Sequence, residues 1–265
     1  MEEKYTLREL MICAAAREIS DGDIVFVGMR LPLIAFVLAK KVNAPNAIGL
    51  FENGIIRSTP SPSLIYTMGD PPNLIGATHT GEMLSVMAYL QQGKVAVGFL
   101  GGAEVDKYGN LNSTMVKDGN NEIRLPGSGG ACDIASLAKK VLIIMNHEKH
   151  RFVEKVNYIT SPGYGDGGGW RKSVGLTRGG PAAVISTKGI FDFSPDGLMQ
   201  VRSIHPGLTA NELRDATGFE LLITDEVSET QPPSEEELRV IREYDPSGFW
   251  TGWNPKKSGE TDAGQ

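Results

Sequence analysis

Short apolar runs of four to six residues recur along this chain, most of them followed by glycine and separated by a helix-like segment. No other feature narrows the possible folds as much. Asp23 to Gly28, Ile48 to Phe51, Val95 to Leu100 and Val141 to Met145 are too short for helices and rich in β-branched residues, so they predict buried strands. Leu33 to Val42, Glu82 to Gln91 and Ile134 to Lys140 read as helices, the first ending in Lys40-Lys41 at the negative end of its dipole. Capping boxes at Thr6–Glu9, Thr209–Glu212 and Ser234–Glu237 mark three more helix starts, because each hydroxyl and carboxylate can satisfy free N–H groups of a first turn. The first of these helices is expected to run to about Ser20 and stop at Asp21-Gly22, and the second to stop at Gly218. Ala182 to Ser186 and Gly189 to Phe193 predict a hairpin around Thr187-Lys188. This order predicts an α/β fold: an open, largely parallel sheet with helices on both faces. It is expected as a single domain over residues 1–250, followed by a flexible tail over 251–265, with Trp250 and Trp253 as packing anchors.

Several classes of function are disfavoured at once. Hydrophobic residues make up 40% of the chain and charged ones 22%, enough apolar material for a packed core. Acidic residues outnumber basic ones 32 to 26, which argues against nucleic acid as a partner. Cys13 and Cys132 are too few for a disulfide framework or a structural zinc site. The longest apolar stretch, Leu31 to Ala39, holds a proline and falls far short of the roughly 20 residues of a membrane span. With no apolar signal region in MEEKYTLREL, a cytoplasmic location is expected, in which the sequon Asn112-Ser113-Thr114 is inert. No G-x-G-x-x-G or Walker loop is present, so no nucleotide cofactor is expected. His147 and His150 stand three apart rather than four, which predicts a polar turn and no metal site. His79 and His205 are isolated, and Cys132 has no histidine near it in sequence to activate it.

What remains is glycine. The 32 glycines cluster where predicted strands end: Gly54, Gly101-Gly102, Gly127 to Gly130 and Gly163 to Gly169. Ligands of open α/β sheets bind at the carboxyl ends of strands, where glycine lets backbone N–H groups come close to an anion. Glu52 lies at one such end, between a buried strand and Asn53-Gly54. A carboxylate ionised at neutral pH is a weak nucleophile but an adequate one for a thioester, and glycine-loop N–H groups can stabilise the oxyanions formed. Position alone leaves two roles open for Glu52, turn cap or nucleophile.

The residues Glu52-Asn53-Gly54, the run from Phe99 through Gly101-Gly102-Ala103-Glu104-Val105-Asp106-Lys107-Tyr108-Gly109-Asn110-Leu111-Asn112-Ser113-Thr114, Gly127 to Ala131, and His147 to Gly163 are together similar to the B (β) subunit of the class I CoA-transferases. The similarity is strongest to the glutaconate CoA-transferase branch and spans about residues 6 to 246. It implies an open α/β fold and transfer of CoA from an acyl-CoA to a small carboxylic acid by a ping-pong route. The covalent nucleophile would be Glu52, carrying CoA as a glutamyl thioester. Gly127, Gly129, Gly130, Gly101 and Gly102 would serve the oxyanion and CoA, and no cofactor is required beyond the CoA thioester itself. Asn53, Arg57, Ser58, His79 and Tyr164 are candidates for the acyl pocket. The resemblance also implies a homologous A-type partner, with A2B2 the simplest assembly. The triplet is E-N-G, as in the 3-oxoacid branch, but Phe51 stands where that branch has serine. The alternative is a hydrolase or decarboxylase of CoA thioesters, seen in related chains that lack the glutamate; the presence of Glu52 argues against it.

Overall fold

The computed structural model describes residues 5–119, 121–224 and 227–254. Helix α1 (Leu7–Arg17) opens on the predicted capping box and ends three residues earlier than expected. Strand β1 (Ile24–Phe26) follows, then α2 (Leu31–Val42), which begins two residues early, after Arg30. Strand β2 (Ile48–Phe51) has the predicted bounds. Two short strands not foreseen, β3 (Ile55–Arg57) and β4 (His79–Thr80), fold back antiparallel beside it. Next come α3 (Met83–Gln91) and β5 (Val97–Leu100).

The middle of the chain forms two small sheets. Strands β6 (Glu104–Asp106) and β7 (Leu111–Asn112) make one of them with a later strand, while β8 (Met115–Asp118) and β9 (Asn121–Arg124) form a separate hairpin. Helix α4 (Ala131–Leu137) starts after Gly130, three residues before the predicted start, and the chain is already extended at Ala138. Strand β10 (Lys140–Met145) comes next, then β11 (Phe152–Val153), which pairs with β6. The short α5 (Trp170–Ser173) and the predicted hairpin of β12 (Pro181–Ser186) and β13 (Gly189–Phe193) follow. The described chain closes with β14 (Met199–Ile204), α6 (Ala210–Asp215), β15 (Ser228–Glu229) and α7 (Glu235–Tyr244), both helices starting at the predicted capping boxes. Gly218 does not stop α6 as a left-handed cap. Its N–H instead donates to the Phe152 carbonyl at 2.7 Å, tying the α6 exit to β11.

Ten strands make one sheet in the order β15-β14-β13-β12-β10-β5-β1-β2-β3-β4. The five central strands, β12 to β2, are parallel, and the antiparallel pairings lie at both flanks. Both faces are covered, as predicted. Alternate residues show it: Val25 and Val27 of the β1 segment pack with α1, α2 and α7, while Phe26 packs with α3, α4 and α6. The order reverses at β1, whose neighbours are β2 on one side and β5 on the other. At such a switch point the connecting loops diverge and leave a crevice at the carboxyl ends of the strands.

Residues 251–254 are not a loose tail. Thr251 is buried, its N–H donates to Asp245 at 3.0 Å, and its carbonyl accepts from Thr6 at 2.9 Å. Residues 255–265, the rest of the predicted tail, lie outside the described residues.

Candidate active site

The end of β2 is fixed from below. Phe51 is 1% exposed and part of the core, so the turn that follows starts from an immobile residue. Phe51, Glu52, Asn53 and Gly54 form a tight turn closed by the Gly54 N–H on the Phe51 carbonyl at 3.0 Å. Gly54 has φ of 97°, and a Cβ there would meet the Gly81 carbonyl at 2.2 Å, so only glycine fits. Gly81 in turn donates to the Gly54 carbonyl at 3.0 Å, which locks the turn to the segment leading into α3.

Glu52 is half-buried and turns toward α3 and α4. Its Oε1 accepts the Gly130 N–H at 3.0 Å, its one hydrogen bond among the described residues. A Cβ on Gly130 would lie 3.0 Å from that oxygen and 3.1 Å from Met87 Cε, and one on Gly129 3.8 Å from it. Gly129 and Gly130 are therefore a bare backbone floor under the carboxylate. Gly127 does not face it; its N–H is spent on the Ser113 carbonyl at 2.7 Å, which moors the loop. Chemically, a carboxylate beside a backbone donor and only partly covered by the chain can act as an oxygen nucleophile.

Other sequence-predicted residues divide. Gly101 and Gly102 are not beside Glu52; they line a crevice at the ends of β1, β5 and β10. Arg57 is not an acyl-pocket residue. It is 1% exposed, and its guanidinium donates to the carbonyls of Thr59, Pro60, Asn73 and Ile75, which folds the segment from 58 to 76 around it. Asn53 turns the same way, donating to the Met68 carbonyl at 2.7 Å. Ser58 and His79 are both exposed. Ser58 hydrogen-bonds Thr78, and neither residue hydrogen-bonds Glu52. Tyr164 is a packing residue. Its hydroxyl donates to the Pro181 carbonyl at 3.0 Å, its ring lies 5.2 Å from that of Phe193, and burial raises its pKa. Sequence reasoning missed Gly81 and Met87; the only sequence signal for Gly81 is a glycine just before a helix-like segment.

The fold separates the two histidines of the sequence pair. His147 is 2% exposed rather than part of a polar turn, stacked on Phe152 at 3.7 Å, with its nitrogens on Ser186 and Thr217. Burial, with the charge of Lys188 and His205 adding to it, pushes its pKa down to about 3, so it is neutral in the fold. His150 is exposed and pairs with Glu148. Among the described residues no group of three or more His, Cys, Asp or Glu could hold a metal, and no helix is long and apolar enough to cross a membrane.

A family model described as coenzyme A transferase matches residues 8–216. The chain is 39% identical over 243 residues to the B-type subunit of 3-oxoadipate CoA-transferase from Pseudomonas knackmussii, covering 90% of this chain and 92% of that one. It is 34% identical over 250 residues to the B-type subunit of glutaconate CoA-transferase from Acidaminococcus fermentans, with the same coverage. The crystal structure of the glutaconate coenzyme A-transferase from that organism superposes with a TM-score of 0.87 at 32% identity, over 94% of this chain and 98% of that chain.

Proposed function

Because the chain belongs to the coenzyme A transferase family, we propose that it is the B-type half of a two-chain enzyme that moves CoA from an acyl-CoA to a carboxylic acid, with Glu52 as nucleophile. The observation that carries this reading is the single Gly130 N–H contact to a half-buried Glu52 carboxylate at the carboxyl edge of the sheet. Glu52 attacks the thioester carbonyl, forming a mixed anhydride and releasing CoA thiolate. The thiolate then attacks the Glu52 carbonyl, which gives a glutamyl-CoA thioester and frees the first carboxylic acid. The acceptor carboxylate runs the two steps in reverse, and Glu52 is regenerated. Each step exchanges one activated acyl group for another, so no external energy source is required. The oxyanions formed at Glu52 would be stabilised by N–H groups of the Gly129–Gly130 floor.

Both relatives are named as the B-type member of a subunit pair, which supports an A-type partner for this chain. Leu84 and Ile75, 74% and 61% exposed, belong with Met83 and Leu74 to the segments that flank the Glu52 turn, apolar surface fit for a second chain to cover. An A2B2 assembly is the simplest closed arrangement. The substrates would be small carboxylic acids and their CoA thioesters, of the glutaconate or 3-oxoacid kind. Two free cysteines, one of them buried, suit a reducing cytoplasm. Steady-state kinetics of the co-purified pair test the reading. Parallel double-reciprocal lines for donor and acceptor are expected. Thioester loss that needs no acceptor acid would instead make the enzyme a hydrolase.

A further inference from the structure

The crevice at the strand switch point is left unused by this chemistry. It has a volume of about 730 Å3, and its walls carry Arg8, Arg30 and Arg151, together with Met29, Phe249 and Trp250, but no Asp or Glu. In a chain whose acidic residues outnumber its basic ones 32 to 26, that is a local reversal of sign. The three cations are not equivalent. Arg151 is paired with Glu148 at 2.7 Å, and Arg8 donates to the Trp250 carbonyl at 3.1 Å. Arg30 is exposed, makes no ion pair among the described residues, and lies 5.5 Å from the centre of the Trp250 ring.

Arg30 is also the only described non-glycine residue with positive φ, at 68° with ψ of −124°. Glycine would adopt this conformation without penalty, whereas an L side chain is strained there. The local fold alone thus favours glycine at this position, and the arginine gives its side chain to the crevice.

We propose that the crevice receives an anionic terminus of the thioester substrate, held by Arg30 against the flat wall of Trp250. This inference rests on the transferase reading for the substrate's identity. Two parts of such a substrate share the chemistry: the phosphorylated adenine nucleotide of CoA, and the far carboxylate of a dicarboxylic acyl group. Phe26 of β1 lies opposite Leu50 of β2, so Gly28 at the crevice and Glu52 leave neighbouring strands about 5 Å apart. The Glu52 side chain faces α3 and α4 while Met11 and Leu31 place the crevice against α1 and α2, so the bound substrate crosses the carboxyl edge of the sheet. Arg30 is a binding residue here and touches none of the reacting atoms.

Arg30→Gly in the assembled complex tests this, since glycine relieves the backbone and keeps the fold. Calorimetric titrations with CoA, pantetheine and a six-carbon dicarboxylate read the ligand. The expected result is weakening of about 10- to 100-fold, the loss of one charge-assisted contact. If it falls on CoA but not pantetheine, the nucleotide occupies the crevice; if it falls on the dicarboxylate, the acyl end does. Partial recovery in Arg30→Lys is expected. Unchanged binding of all three ligands would overturn the inference. So would a lowered thermal midpoint or a broken assembly, which would make Arg30 a packing residue. Transfer is assayed on the same preparation. Arg30-dependent binding without transfer would remove the transferase reading and leave the anion site standing.

Discussion

Glu52 and the pair Glu104 and Asp106 are carboxylates of one chain that the fold treats in opposite ways. Glu104 is 5% exposed and accepts from the Asn112 side chain at 2.7 Å, the Asn157 N–H at 2.9 Å and the Asn157 amide. Asp106 is 2% exposed and accepts from the N–H groups of Tyr108 and Asn110 at 3.0 and 3.1 Å, and from the Asn110 side chain. Its pKa is raised by burial, with these bonds pulling the other way. Glu52, half-buried, has one donor. A carboxylate saturated with donors is a strut, because its lone pairs are occupied and its desolvation is compensated. One with a single backbone donor, only partly covered, keeps lone pairs for a reaction. The difference also separates two motifs. The run from Glu104 to Thr114, part of the most recognisable stretch of the sequence, builds scaffold; the three-residue Glu52-Asn53-Gly54 turn carries the proposed chemistry.

That contrast can be broken by substitution. Glu52→Gln should lower transfer by at least about 10⁴-fold, the scale seen when a nucleophile is removed, while stability changes by less than about 0.5 kcal/mol. Initial rates and a denaturant midpoint on one preparation check both halves. Gly130→Ala places a methyl against the carboxylate and Met87 and should cost roughly 10- to 100-fold in rate, with assembly intact. Asp106→Ala should do the converse. It strands the donors of Tyr108 and Asn110 in the interior and should destabilise the fold by about 2–3 kcal/mol, with transfer per folded molecule within about threefold of wild type. A loss of rate equal to that of Gly130→Ala would erase the distinction.

A separate effect is one of pH. His147 is held neutral with its pKa lowered to about 3, so the unfolded chain binds a proton in the window where the folded one does not. Stability from this residue is complete above about pH 6.5 and declines as pH falls toward 3, at up to about 1.4 kcal/mol per unit. His205, also lowered by burial, acts in the same direction. Denaturant midpoints between pH 7.5 and 5 should show the fall, and His147→Gln should flatten it.

The legible parts of the fold were those written locally. Three capping boxes announced three helices, and the four buried strands stood out because central parallel strands are apolar on both faces. The flanking strands β3 and β4 were invisible, since Ile55–Arg57 and His79–Thr80 are too short to carry a period. The start of α4 was misplaced because Ala131-Cys132-Asp133 reads as loop after a glycine run, when Gly130 in fact caps the helix. Glu52 and its glycine floor could be expected together, although 78 positions separate them, only because strand ends converge at one edge of the sheet. Arg57 shows the limit. Nothing near it in sequence says that residues 59–75 fold back to offer it carbonyl oxygens, so a buried strut looked like a ligand-binding cation.

The most direct test is intact and peptide mass of this chain, co-purified with its partner and incubated with an acyl-CoA but no acceptor acid. The account predicts an added mass of CoA less one water on the peptide holding Glu52, removed when a carboxylic acid is supplied and absent in Glu52→Gln. Turnover by a chain whose Glu52 peptide never carries CoA would contradict it.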